Sequence, residues 1–144
     1  MGIVMEGCIC GIPSVGFSID DHSPEADFSH CEKAIRDIIA RVLSAGLPRG
    51  VCLNVNFPAR GPLQGVKLCR QSCGQWINEW IEREHPKGGK YYWLTGNLSI
   101  DNPDDTDTDH YALQQGYAAI TPVRIDLTAR DVWEELEQTF AVEP

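Results

Sequence analysis

Apolar and polar positions recur with two periods along this chain, and the switches between them mark its elements. Ile3, Val4 and Met5 form the body of a short helix, broken by Gly7 and Gly11. Residues 12–19 are mostly apolar behind Pro13, the pattern of a strand covered on both faces as in a parallel sheet. Asp20, Asp21, His22 and Ser23 follow at once. That strand therefore ends in a polar loop at its C-terminal end, where α/β folds bind ligands. Ser23 and Pro24 predict a helix start, an N-cap followed by Pro at the first helical position. Glu25 and Asp27 favour the positive end of its dipole. Phe28, Cys31, Ile35, Ile38, Ile39 and Val42 recur at steps of three and four, which makes one buried stripe. Gly46 and Pro48 end it. From 51 to 57 the period is two. Val51, Leu53, Val55 and Phe57 share one face, Cys52, Asn54 and Asn56 the other, and Pro58 closes the strand. Strand 12–19, helix 24–45 and strand 51–57 predict a right-handed crossover between parallel strands.

Residues 59–65 form a loop and 66–71 a short strand. Residues 75–84 and 90–95 are two aromatic-rich runs around Gly88-Gly89, which predicts a β-hairpin over 75–95. An isolated hairpin is only marginally stable, so this one leans either on its own domain or on a neighbouring copy. Asn97 to Asp109 reads as a loop with five aspartates. Residues 116–121 form a last strand closed by Pro122. Thr128 and Asp131 have the spacing of a capping box, with Asp in place of Glu. They open a C-terminal helix over 128–140 that places Val132, Trp133, Leu136 and Phe140 on one face.

Composition narrows the class. The 144 residues, 42% hydrophobic and 23% charged, suit one globular domain with a real core. Twelve Lys and Arg against twenty-one Asp and Glu leave a net charge of -9, which argues against a nucleic-acid polymer as partner. No apolar run approaches the roughly 18 residues of a membrane-spanning helix, and the start lacks the basic region of a secretory signal. The expectation is a cytoplasmic protein without a membrane partner. The six cysteines are too sparse for a disulfide scaffold. Cys8-x-Cys10 and Cys69-x3-Cys73 do not match a zinc-finger spacing. Reduced thiols, several of them buried, are expected.

Residue chemistry by itself stops short of a mechanism. Asp104-Asp105-Thr106-Asp107-Thr108-Asp109 invites a calcium reading, but the central Gly and terminal Glu of an EF-hand loop are missing. Two other readings stand beside it. One is a solvated acidic loop. The other is a wall of a site built elsewhere, with Asp107 and Asp109 fixing backbone amides. His22, at the mouth of the first strand, is the best-placed histidine. There is no Gly-x-Ser-x-Gly elbow and no Gly-x-Gly-x-x-Gly loop.

Five blocks raise a family. They are Met5-Glu6-Gly7 with Gly11-Ile12-Pro13-Ser14, then Leu53-Asn54-Val55-Asn56-Phe57-Pro58, then Tyr91-Tyr92-Trp93-Leu94-Thr95-Gly96. Asp105-Thr106-Asp107-Thr108-Asp109 and Ala112-Leu113-x-x-Gly116-Tyr117-x-x-Ile120-Thr121-Pro122 complete the set. In order and spacing the chain resembles the C-terminal portion of the SurE family, the survival protein E nucleotidases. The resemblance implies an α/β fold, the C-terminal part of a Rossmann-like core with a protruding β-hairpin arm. Residues 1–144 would be one partial domain, 75–95 the arm that embraces a neighbouring subunit, and 128–140 a terminal helix. It implies a metal-dependent phosphomonoesterase acting on nucleoside 5'-monophosphates, and on 3'-monophosphates and short polyphosphate. The cofactor would be Mg²⁺ or Mn²⁺, and the assembly a homo-dimer or tetramer. The family's metal site uses an Asn-Asp-Asp-Gly motif, a later Ser and an Asn in a glycine-rich loop. All of these precede the first matching block. The expectation is a chain without the N-terminal metal-binding half, inactive alone, with no metal ligand of its own. Ser18, His22, Asp107 and Asp109 remain as residues that would line the pocket. The alternative is a non-catalytic oligomerisation module.

Overall fold

A computed structural model describes residues 1–141. α1 (Gly2–Ile9) turns through Gly11, at φ 79°, into β1 (Val15–Ile19). α2 (Glu32–Ala45) begins later than Ser23 and Pro24 predict. Two carboxylates explain the delay. Asp21 accepts the Ser23 N–H at 2.9 Å, and Asp27 accepts both the N–H and the hydroxyl of Ser29 at 2.8 Å. Such local bonds close turns that compete with a helix. Residues 21–28 therefore stay irregular, and a 3-10 turn over Ser29–Cys31 precedes α2. Phe28, expected in the buried stripe, is 43% exposed. Cys31, Ile38 and Val42 do form that stripe.

β2 (Val51–Phe57) and β3 (Gly65–Leu68) follow. Next come β4 (Gly74–Ile77), β5 (Trp80–Glu84), β6 (Lys90–Leu94) and β7 (Asn97–Ile100). They make a ribbon in two parts: β5 pairs with β6 and β4 with β7. The parts are separated at Asn78 (φ 54°) and Gly96 (φ 131°). The ribbon thus reaches beyond the expected hairpin, and residues 97–100 are strand where a loop was expected. α3 (Asp109–Gln114) is a further helix that the pattern did not predict. Thr108 caps it by accepting the Tyr111 N–H at 3.3 Å. β8 (Tyr117–Arg124) runs through Pro122 instead of stopping there. β3 has already ended opposite Ile120, so Pro122 has a strand on one side only and its missing donor is tolerated. α4 (Trp133–Phe140) lacks the expected capping box. The Asp126 carboxylate takes the Thr128 N–H and the Arg130 guanidinium instead, and a 3-10 turn over Arg130–Val132 leads in.

The central sheet has the order β1-β2-β8-β3. β1 and β2 are parallel, as the crossover requires, but β8 is antiparallel to β2 and β3 runs with β8. Both faces of the sheet are used. Val55, Phe57 and Ala118 pack beneath α2, with Phe17 stacked on Phe57 at 6.2 Å between ring centroids. On the other face Cys52 is buried against Cys8 of α1, and Ala119 against Ala112 of α3. The alternation in β2 therefore separates two covered faces, not a buried from a wet one. Among the described residues no helix is long and apolar enough to cross a membrane.

Candidate functional site

The site candidate lies on the α1 and α3 side of the sheet, running from the middle of β2 to the C-terminal ends of β1 and β2. Strand register builds it in two rows. Gly16 pairs with Asn54 and Asn54 with Thr121; Ser18 pairs with Asn56 and Asn56 with Ala119. α1 lies close over the first row, because a Cβ on Gly16 would come within 3.0 Å of Val4 and 3.4 Å of the Met1 sulfur. Ser18, two residues further along β1, is exposed. Asn54 and Asn56 are half-buried on that face. The Thr121 hydroxyl is buried without a hydrogen-bond partner among the described residues. His22 stands exposed in the loop just beyond β1. Beside it the Ser23 N–H, and then the Ser23 hydroxyl, hold the Asp21 carboxyl below the usual carboxylate range, with Arg60 adding a smaller pull.

Asp107 and Asp109 lie elsewhere. Arg70 Nε donates to both carboxylate oxygens of Asp107 at 3.0 Å, and its terminal nitrogen donates to Asp105. Asp107, then Asp105, push the guanidinium above its ordinary range. The backbones are laced too: the Arg70 N–H donates to the Asp107 carbonyl and the Asp109 N–H to the Arg70 carbonyl, each at 3.0 Å. Asp109 accepts the Ser72 N–H at 2.9 Å and the His110 N–H at 2.8 Å. This knot fastens the end of β3 to the start of α3.

Register separates the two groups. Ser18 is level with Asn56, Ala119 and Lys67. Arg70 lies three residues further along a chain running the opposite way from β1. The offset is about 10 Å along the strands and about 14 Å across them. By strand register Ser18 lies toward one end of the sheet and Arg70, with Asp107 and Asp109, toward the other.

The carboxylates present do not fit a divalent cation. Among the described residues no three His, Cys, Asp or Glu side chains converge. Asp105 and Asp107 both pair with the single guanidinium of Arg70, and Asp109 accepts two amides. The acidic loop is thus closed by an arginine, not open for calcium. The cysteines are free, with Cys8, Cys31, Cys52 and Cys69 buried and Cys10 and Cys73 exposed. Burial pushes the thiols of Cys31, Cys52 and Cys69 up, which makes them poor nucleophiles.

The sequence pattern puts Asn54 and Asn56 on one face of β2 but singles out neither their row with Thr121 nor the Arg70 clamp. A signal for the row was present: carboxamides on one face of a strand from a two-sided sheet. No local signal marks Arg70, which meets Asp107 across 37 positions of sequence.

Comparison with known proteins decides the family. The sequence profile described as Survival protein SurE matches residues 1–78, more than half of the chain. The chain belongs to the SurE family. This SurE-family chain is 51% identical over 137 residues to the protein named 5'-nucleotidase SurE of Phocaeicola vulgatus, aligning 95% of itself with 53% of that relative. With the protein of the same name from Bacteroides thetaiotaomicron it shares 47% over 136 residues, 94% of the chain and 52% of the relative. It therefore spans about half the length of the curated relatives it matches. The crystal structure of the SurE protein from Aquifex aeolicus superposes on it with a TM-score of 0.74 at 30% identity, over 94% of this chain and 55% of that one. The mixed α/β fold is that of SurE.

Proposed function

We propose that this chain is the C-terminal part of a metal-dependent phosphomonoesterase that hydrolyses nucleoside 5'-monophosphates, with 3'-monophosphates and short polyphosphate as further substrates. One observation carries the reading: 51% identity across 95% of the chain to a relative named 5'-nucleotidase SurE. Mg²⁺ or Mn²⁺ would be held by the N-terminal portion, since the carboxylates here are engaged by Arg70 and by backbone amides. A divalent cation in such a site neutralises phosphoryl oxygens and activates water. The chain alone is then inert. Ser18 and His22 line the approach to the nucleotide at the strand ends. Asp107 and Asp109 act on the fold through Arg70 and Ser72 and do not touch substrate. A cytoplasmic location belongs to the same proposal.

The test has two arms. The purified chain, given AMP with Mg²⁺ or Mn²⁺, should release no phosphate, and release would overturn the division between the two portions. A protein joining this chain to the N-terminal portion of the Phocaeicola vulgatus relative should release phosphate only with the cation present. Inactivity of that protein on every nucleoside monophosphate would overturn the activity.

A second reading, a homo-dimer or tetramer assembled through residues 75–95, is favoured by the ribbon. Trp76, Trp80, Tyr92 and Trp93 are all exposed there, Trp80 at 64%, and large exposed apolar patches mark interaction sites.

A further inference from the structure

The α1 and α3 face of the sheet holds a polar strip, and its one buried hydroxyl, that of Thr121, has no partner among the described residues. Faces covered by helices normally carry apolar residues. Here the floor between α1 and α3 presents Asn54 beside Thr121 and Ser18 beside Asn56, two carboxamides and two hydroxyls without a charged side chain among them. Thr121 is only 5% exposed, yet its hydroxyl has no partner among the described residues. A buried hydroxyl left unpaired is costly, so an occupant that pairs it is favoured. α1 bounds the strip at Gly16 and α3 bounds it at Ala119. The exposed Ser18 leaves it open at the C-terminal ends of β1 and β2, where open α/β sheets take ligands.

The donor set defines the occupant. A carboxamide offers two donors and one acceptor, and a hydroxyl offers both. Such a neutral, mixed surface suits a neutral group with donors and acceptors side by side. An Asn carboxamide can pair bidentately with the edge of adenine, and hydroxyls suit a ribose. A phosphate would call for cations, and the strip has none. We propose that Ser18, Asn54, Asn56 and Thr121 form a subsite for the nucleoside portion of the substrate, leaving the phosphate to be held elsewhere. This rests on the nucleotidase reading and adds to it the residues that select among nucleotides.

Titration of the isotope-labelled chain with adenosine tests it, read from the side-chain amide resonances of Asn54 and Asn56. Both should shift saturably with adenosine and stay in place with inorganic phosphate. Asn56→Asp keeps the size and removes two donors. It should weaken adenosine binding about tenfold, or about 1.4 kcal/mol, with its backbone spectrum still dispersed. Ser18→Ala, at an exposed position, supplies a second variant that stays folded and should weaken binding less. Three outcomes would overturn the subsite: no shift with adenosine, unchanged affinity in both variants, or amide shifts that follow protein concentration alone. The phosphate-release assay fails or succeeds independently. Adenosine binding through Asn56 with an inactive joined protein would keep the subsite and discard the phosphatase.

Discussion

Phe57 shows how much one side chain carries in this small sheet. It is fully buried beneath α2 and stacks on Phe17. Phe57→Ala should cost about 3–5 kcal/mol, read as a lower urea midpoint. Asp27 acts at the same scale but through pH. The Ser29 N–H, and then the Ser29 hydroxyl, hold its carboxyl below the ordinary range. A depressed carboxyl contributes fully above the unfolded value of about 3.9 and loses that contribution as pH falls through the folded value. Exchange of the Ser29 amide with solvent should therefore show no Asp27-linked change between neutral pH and the ordinary carboxylate range, and should be released only in acid. Asp27→Asn should abolish the acid step. The thiols give a third check. Iodoacetamide should label Cys10 and Cys73 on the native chain, and the four buried cysteines only after unfolding, as mass spectrometry would resolve. The sparseness of the cysteines led to the expectation of reduced thiols. Which of them face solvent was not, because Cys8 and Cys10 are two residues apart on a helix end and differ only in what packs over them.

At the scale of elements, the ribbon shows where a pattern stops being informative. Aromatic alternation around Gly88-Gly89 marked β5 and β6, and took β4 into one run with β5. It did not mark β7, whose pairing with β4 depends on a close backbone approach. A Cβ on Gly74 would sit 2.5 Å from the Ser99 carbonyl oxygen, and 3.1 Å from the Ile100 Cα. Backbone cannot yield as a side chain tip would, so Gly74→Ala should speed hydrogen exchange along β4 and β7 while leaving β1 and β2 protected. α4 makes the complementary point. Its apolar face was plain from the spacing of Trp133, Leu136 and Phe140, yet all three remain exposed, Phe140 at 73%. Periodicity identifies the face that seeks cover but not the surface that supplies it. The late start of α2 has a different cause. Side chains of Asp21 and Asp27 captured nearby N–H groups, an outcome that Ser-Pro spacing alone could not weigh.

At the scale of the whole molecule, exposed tryptophans on the ribbon and an uncovered helix face predict self-association. Sedimentation should give a dimer or tetramer, and a Trp80→Ser, Trp93→Ser double variant should sediment as a smaller species with its central sheet intact. A wild-type chain that stays monomeric at all concentrations would remove the assembly. The two-residue alternation, the helical stripe, the acidic balance and the five family blocks were all local properties, and the sequence by itself determined them. From these came the α/β class, the family and the order of β1, α2, β2 and the last strand and helix, but not β7 or α3. The tertiary structure alone decided that β8 enters the sheet antiparallel, that Arg70 closes the acidic loop, and that Asn54, Asn56 and Thr121 lie side by side between two helices. Each of those depends on which distant segments meet and on what covers a face, and the energy of such contacts is not encoded in any single stretch of chain.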